Sequence, residues 1–175
     1  MIPDLRRVLD PAYLAGLGDV STDELRAMRT ECADLENGVS FVRRVAQGRL
    51  DLVAAEGKRR SDGNGGDLSD LVASLPELLS DGVRAPASGR VSDDIDPPEH
   101  VVGPLTEVLD GVVAQSMLSS LADMTPEEIA GTARALRDLE DDLSTSRRTL
   151  HSSIDSLNDE LARRIASGEV SPSNS

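Results

Sequence analysis

Aromatic residues are almost missing from this chain: one Phe (Phe41), one Tyr (Tyr13) and no Trp in 175 residues. Without rings there is no stacking platform for bases, which argues against a single-strand nucleic-acid binder. Cations are scarce as well, 18 Lys and Arg against 32 Asp and Glu, for a formal charge of −14. A phosphate backbone is gripped through Lys and Arg, so no direct binding of DNA or RNA is expected. The single cysteine, Cys32, excludes an intramolecular disulfide and fits a reducing compartment. It falls on an apolar seam position and reads as a small buried hydrophobe. No run approaches the length of a membrane span. Met1-Ile2-Pro3-Asp4-Leu5-Arg6-Arg7 has no apolar stretch behind it. The expectation is a soluble, cytoplasmic protein that meets no membrane. The chain has two histidines, His100 and His151, no phosphate loop and no metal-spaced His/Cys cluster. No enzymatic chemistry and no metal site are therefore expected. Ser40 and Ser144 have no evident base to activate them.

What the chain does have is helix signal. An apolar content of 38% is thin for a globular core but sufficient for a long helical hairpin with Leu, Val and Ile seams. Residues 1–20 are short apolar pieces broken by Pro11, Gly16 and Gly18, with a helical turn expected around Leu5 and Val8. Ser21-Thr22-Asp23-Glu24 is a capping box. From it runs a heptad seam: Leu25, Met28, Cys32, Leu35, Val39, Val42, Ala46, Arg49 and Val53, with Arg49 the one polar intruder. This first coiled-coil helix is expected over 21–57, fading near Gly57, with Lys58-Arg59-Arg60 suited to its C-terminal dipole. Residues 58–124 read as a linker with short helices. Ser61 to Gly66 is linker by composition, Leu68 to Leu79 a short helix, Gly82 to Pro98 a mobile stretch, and Val101 to Leu121 helical. Thr125-Pro126-Glu127-Glu128 then restates the helix start, with Pro at the first helical position. A second seam follows through Ile129, Thr132, Leu136, Leu139, Leu143, Ser146, Leu150, Ser153 and Leu157. The second helix is expected over 125–167, and 168–175 form a loose tail. The fold class expected is all-α: an antiparallel two-helix coiled coil of two long helices (about 21–57 and 125–166), with shorter helices and a mobile linker between them.

Beside the seams lies a duplicated polar row. Glu36, Ser40, Arg43, Gln47 and Asp51 recur as Glu140, Ser144, Arg147, His151 and Asp155, at a constant offset of 104 residues. Four of the five types are identical. The wider register also matches Asp34 with Asp138, Arg44 with Arg148 and Glu56 with Glu160. At roughly 100° per residue the five positions fall within an arc of about 80°, alongside the apolar seam. Flanking charges of a coiled coil are ordinarily solvated or paired at i, i+3 and i+4. A bare duplication would keep matches evenly, whereas these are densest in the row. On antiparallel helices the two rows acquire an approximate dyad across a shared groove. Arg offers a planar fork to guanine O6 and N7 or to phosphate, a carboxylate accepts from guanine N–H groups, and Ser and Gln serve phosphate or ribose. A ligand with two guanines and two phosphates about a two-fold axis suits such a surface, and cyclic di-GMP is one. Arg44 and Arg148 sit further out and read as solvated.

The pattern E-x3-S-x2-R-x3-Q-x3-D, once on each long helix, resembles the signature of the RsiG anti-sigma factors of actinobacteria. These need cyclic di-GMP to bind the sporulation sigma factor WhiG. The first copy matches at all five positions and the second at four, with His151 in place of Gln, an imidazole that would make its half-site pH-sensitive. The resemblance implies cyclic di-GMP as ligand, taken up as a dimer of the nucleotide. It also implies a WhiG-type sigma factor as partner, sequestered by the loaded protein so that late sporulation genes stay silent. The chain alone is expected to be a monomer. Its high acidity is compatible with a partner that has basic surfaces. A purely structural or adaptor coiled coil, with rows that serve pairing specificity and no nucleotide ligand, stays open as the alternative.

Overall fold

A computed structural model of the chain describes residues 2–61 and 97–169. Every regular element among them is helical. In order these are α1 (Pro3–Val8), 3-10 turns at Pro11–Leu14 and Leu17–Asp19, α2 (Thr22–Ser61), α3 (Glu99–Val112), α4 (Gln115–Leu118), a 3-10 turn at Leu121–Asp123, and α5 (Pro126–Ala166). The expected helix over Leu68 to Leu79 and most of the stretch from Gly82 to Pro98 lie outside the described residues. No described helix is long and apolar enough to cross a membrane.

Both long helices start where their capping boxes place them. The Glu24 N–H donates to Ser21 Oγ at 3.2 Å, and the Ser21 N–H donates back to Glu24 Oε2 at 3.0 Å. At the second start the Glu128 N–H donates to Thr125 Oγ1 at 3.2 Å and the Thr125 N–H to Glu128 Oε2 at 2.7 Å. Each box satisfies two backbone donors that a helix N-terminus otherwise leaves without partners. The seams are buried as the heptads require. Leu25, Cys32, Leu35, Val39, Val42, Ala46 and Val53 pack on α2, and Ile129, Leu136, Leu143, Leu150 and Leu157 on α5. Met28 and Leu139 are half-buried.

The chain forms two compact units. The first comprises the described parts of Met1–Arg43, Pro97–Val108 and Asp141–Ser175; the second those of Arg44–Asp96 and Leu109–Glu140. The long helices run antiparallel in each. In the first unit Arg29 Nε donates to Asn158 Oδ1 at 2.7 Å, and further along α2 Glu36 meets Arg147, an earlier residue of α5. In the second, Gln47 meets Glu140, and Gly57 faces Ile129. Gly38 admits a third helix to the first unit: a Cβ there would overlap Val101 of α3, which is buried with Leu105. Tyr13 donates to Glu31 Oε2 at 2.8 Å and Arg7 pairs with the same carboxylate, tying the N-terminal turns to α2.

Two boundaries differ from expectation. Helix α2 continues past Gly57 to Ser61, because Arg59 and Arg60 turn back onto Glu56 at 2.6–2.8 Å and keep the last turn wound. The stretch from Val101 to Leu121 is not one helix. It breaks after Val112, where Arg49 reaches out of the seam to the Val113 carbonyl and to Asp110 at 2.6 Å. The polar intruder of the heptad pattern is therefore a buried guanidinium that holds the end of α3, paired there with an exposed carboxylate.

A further repeat emerges from the helix ends. Arg60 donates to the carbonyls of Leu121 (2.7 Å), Ala122 (2.9 Å) and Met124, which form the turn before α5. Arg164, its equivalent at the same offset, donates to the carbonyls of Leu17 (2.8 Å) and Gly18 (3.3 Å), which form the turn before α2. Each guanidinium is steadied by a glutamate four residues earlier, Glu56 at 2.6 Å and Glu160 at 2.8 Å. In each unit the C-terminal end of one long helix is thus fastened to the turn that launches the other.

Candidate functional site

The two polar rows sit at the edge of the seams, where the helical phase places them. Glu36, Ser40, Arg43 and Gln47 are half-buried, as are Glu140, Ser144, Arg147 and His151. Asp51 and Asp155, the last member of each row, are both exposed. The duplication is therefore kept in burial as well as in residue type.

In the first unit the row of α2 meets the row of α5 at Glu36. One oxygen of its carboxylate, Oε1, accepts from Ser40 Oγ at 2.7 Å and from Arg147 Nε at 2.9 Å, and His151 Nε2 lies 3.2 Å away. The Glu36 side chain is 15% exposed, against 41% for Arg147 and 46% for His151. The acid is the inner group and the two bases reach over it. Burial alone would favour the neutral acid, but the bonds from Ser40 and Arg147, with the charges of His151 and Arg147, outweigh it. They hold the carboxyl below the ordinary carboxylate range, so Glu36 is an anion.

The second unit holds Gln47, Asp51 and Glu140. Gln47 Nε2 approaches Glu140 Oε1 at 3.4 Å, a long bond. Glu140 is the repeat equivalent of Glu36, and Gln47 that of His151. The two cross-helix pairs, Glu36 with His151 and Glu140 with Gln47, are thus one interaction written twice. Rows that face each other within each unit produce this pairing, and rows turned to solvent do not. Asp51 and Asp155 are not brought onto these pairs. Arg44 and Arg148 are exposed, and Arg148 is engaged on its own helix by Ser144 and Thr145.

Chemically, each cluster is an acid that accepts from donors on the opposite helix. A carboxylate of this kind complements the adjacent N–H donors of a guanine edge, and a guanidinium beside it complements O6 and N7 or a phosphate. Among the described residues no group of three or more His, Cys, Asp or Glu could hold a metal ion.

A family model described as RsiG-like matches residues 11–79 and 115–174. The chain belongs to the RsiG-like family. Membership points to an anti-sigma factor role and, with it, a sigma factor as partner. No curated protein matches the chain. The two stretches matched in this RsiG-like chain begin at equivalent points of its internal repeat, 11 and 115, ahead of the two capping boxes.

Sequence reasoning on this RsiG-like chain found the rows but missed the groups that set their register. Arg59 and Arg60, taken as dipole partners, recur as Arg163 and Arg164, and each set follows a Glu that is itself duplicated. Continuing the repeat comparison past Glu56 and Glu160 would have exposed that signal.

Proposed function

We propose that this RsiG-like protein is a cyclic-di-GMP-responsive anti-sigma factor. Loaded with a dimer of the nucleotide, it sequesters a WhiG-type sigma factor away from RNA polymerase and keeps late sporulation genes silent. The observation that carries the reading is the pair of equivalent contacts, Glu36 with His151 and Glu140 with Gln47. Glu36, Ser40, Arg43, Ser144, Arg147, His151 and Asp155 in the first unit, and Gln47, Asp51 and Glu140 in the second, form the proposed set. In this reading the ligand takes over bonds the protein otherwise makes to itself. Guanine N1–H and its amino group replace Arg147 and His151 as donors to Glu36, and the released guanidinium turns to O6, N7 or a phosphate. Such an exchange loses few hydrogen bonds, so nucleotide entry need not leave a buried charge unsatisfied.

The structural alternative rests on a neighbouring contact: the Glu36–Arg147 pair aligns the helices with no ligand. Titration calorimetry with cyclic di-GMP, on the purified chain with and without a WhiG-type sigma factor, separates the two. Heat of binding in either arrangement supports the nucleotide reading. The substitution Arg43→Ala with Arg147→Ala removes a charged donor from each row, at about 1.5–3 kcal/mol apiece. Nucleotide-dependent capture of the sigma factor should then weaken by at least roughly a hundredfold. Capture that persists unchanged in the double variant would sink the reading.

A further inference from the structure

Where the sigma factor sits on this chain is a separate question, and the first unit offers a groove for it. About 840 Å³ lies open between the N-terminal turns, α2 and the start of α3. Its floor is apolar, with Met28, Leu35 and Val101 contributing side chains. Its rim is acidic: Asp4, Glu24 and Asp34 all line it. The Arg7–Glu31–Tyr13 cluster closes one side, and because Glu31 already holds Arg7 and the Tyr13 hydroxyl, it neutralises itself. Asp4 and Asp34 enter no ion pair among the described residues, and Glu24 is bonded only to its cap residue Ser21.

The internal repeat acts as a control on this feature. Counterparts of Asp4, Arg7, Tyr13 and Glu31 are Val108, Gly111, Met117 and Ala135. Only Glu24 and Asp34 keep their acid, as Glu128 and Asp138, and the first of these has a capping job to explain it. Of the three rim acids only Asp4 has no acidic counterpart, but with the Arg7–Glu31–Tyr13 wall also lost, this combination of residues is not repeated in the second unit. A groove of about 700 Å³ in the second unit carries the opposite sign through Arg60, Arg134 and Arg137.

We propose that the groove of the first unit is the docking surface for a basic amphipathic helix of the sigma factor, an inference that rests on the anti-sigma reading. An apolar floor flanked by carboxylates that enter no ion pair fits a helix whose Leu or Met anchors point down and whose Lys or Arg side chains reach the rim. The chain's charge of −14 steers such a partner in, and the rim fixes where it lands.

Two variants test this by different means. The first, Asp4→Asn with Asp34→Lys, neutralises the rim; the second, Ala27→Trp, fills the groove from an exposed helix position without changing charge. Each is compared with wild type for binding to a WhiG-type sigma factor in saturating cyclic di-GMP, with circular dichroism confirming the fold. The expected result is at least a tenfold loss of affinity in both, carried mainly by association rate in the first and by dissociation rate in the second. Wild-type affinity in both variants overturns the groove and leaves the anti-sigma reading intact. No complex with the wild-type chain at all overturns the anti-sigma reading, and the groove with it.

Discussion

Helix α2 contains two glycines whose replacement by alanine should move stability in opposite directions. At Gly48 an added Cβ meets nothing within 4 Å. Gly48→Ala therefore gains only helix propensity, about 0.8–1 kcal/mol. At Gly38 the same methyl overlaps Cγ1 of Val101 and stands 3.2 Å from its Cβ. Turning the valine about χ1 clears the first contact but leaves the second, which is fixed by the backbone of α3. Helix α3 must then shift away from α2, an overpacking cost of about 1–3 kcal/mol set against the same propensity gain. Gly38→Ala should fall below Gly48→Ala by about 1–3 kcal/mol. In a chain of this size that separates the two melting temperatures by roughly 2–12 °C, at about 2–4 °C per kcal/mol. Thermal melts of wild type and both single variants, followed by circular dichroism, measure it directly. If both variants melt above wild type by the same margin, α3 does not pack on Gly38.

Acid should weaken the protein through Glu56, whose carboxyl is held down to about 2 by Arg59, against the opposing effect of burial, and further by Arg60. A depressed carboxyl contributes fully above its unfolded value near 4.5, and the contribution is lost as pH falls from there toward 2. Glu56→Gln is expected to cost about 1–3 kcal/mol at neutral pH and to flatten the acid limb of a urea-stability profile; an unchanged limb would show that this carboxylate carries no linkage. Cys32 is fully buried and its thiol is pushed up to about 11, chiefly by burial. At pH 8 its reaction with a disulfide reagent should be at least about a hundredfold slower in the native protein than in urea; equal rates would mean that the α2 seam opens readily.

Most of the frame was legible because it is local. Ser21 with Glu24 and Thr125 with Glu128 announce both helix starts within four residues, and the seams follow from heptad spacing. The polar rows were legible for another reason: two copies in one register make phase visible where one copy would look like an ordinary solvated flank. What escaped depends on partners far along the chain. Nothing near Arg49 shows that it will leave the seam for Asp110 and end α3. Gly38 reads as a weak helix position until Val101 is placed against it. Arg60 reads as a charge suited to a helix end, whereas its guanidinium is spent on the carbonyls of a turn sixty-odd residues away.

The guanidinium fastenings at Arg60 and Arg164 have a consequence for any switching mechanism. Sliding one long helix along its neighbour by a single turn, about 5.4 Å, would pull either arginine off its carbonyls and strand them without donors. Gear-like slippage is thereby disfavoured in each half of the molecule. The acids and bases of the rows are already opposite one another within each unit, held in that register by fastenings at the helix ends.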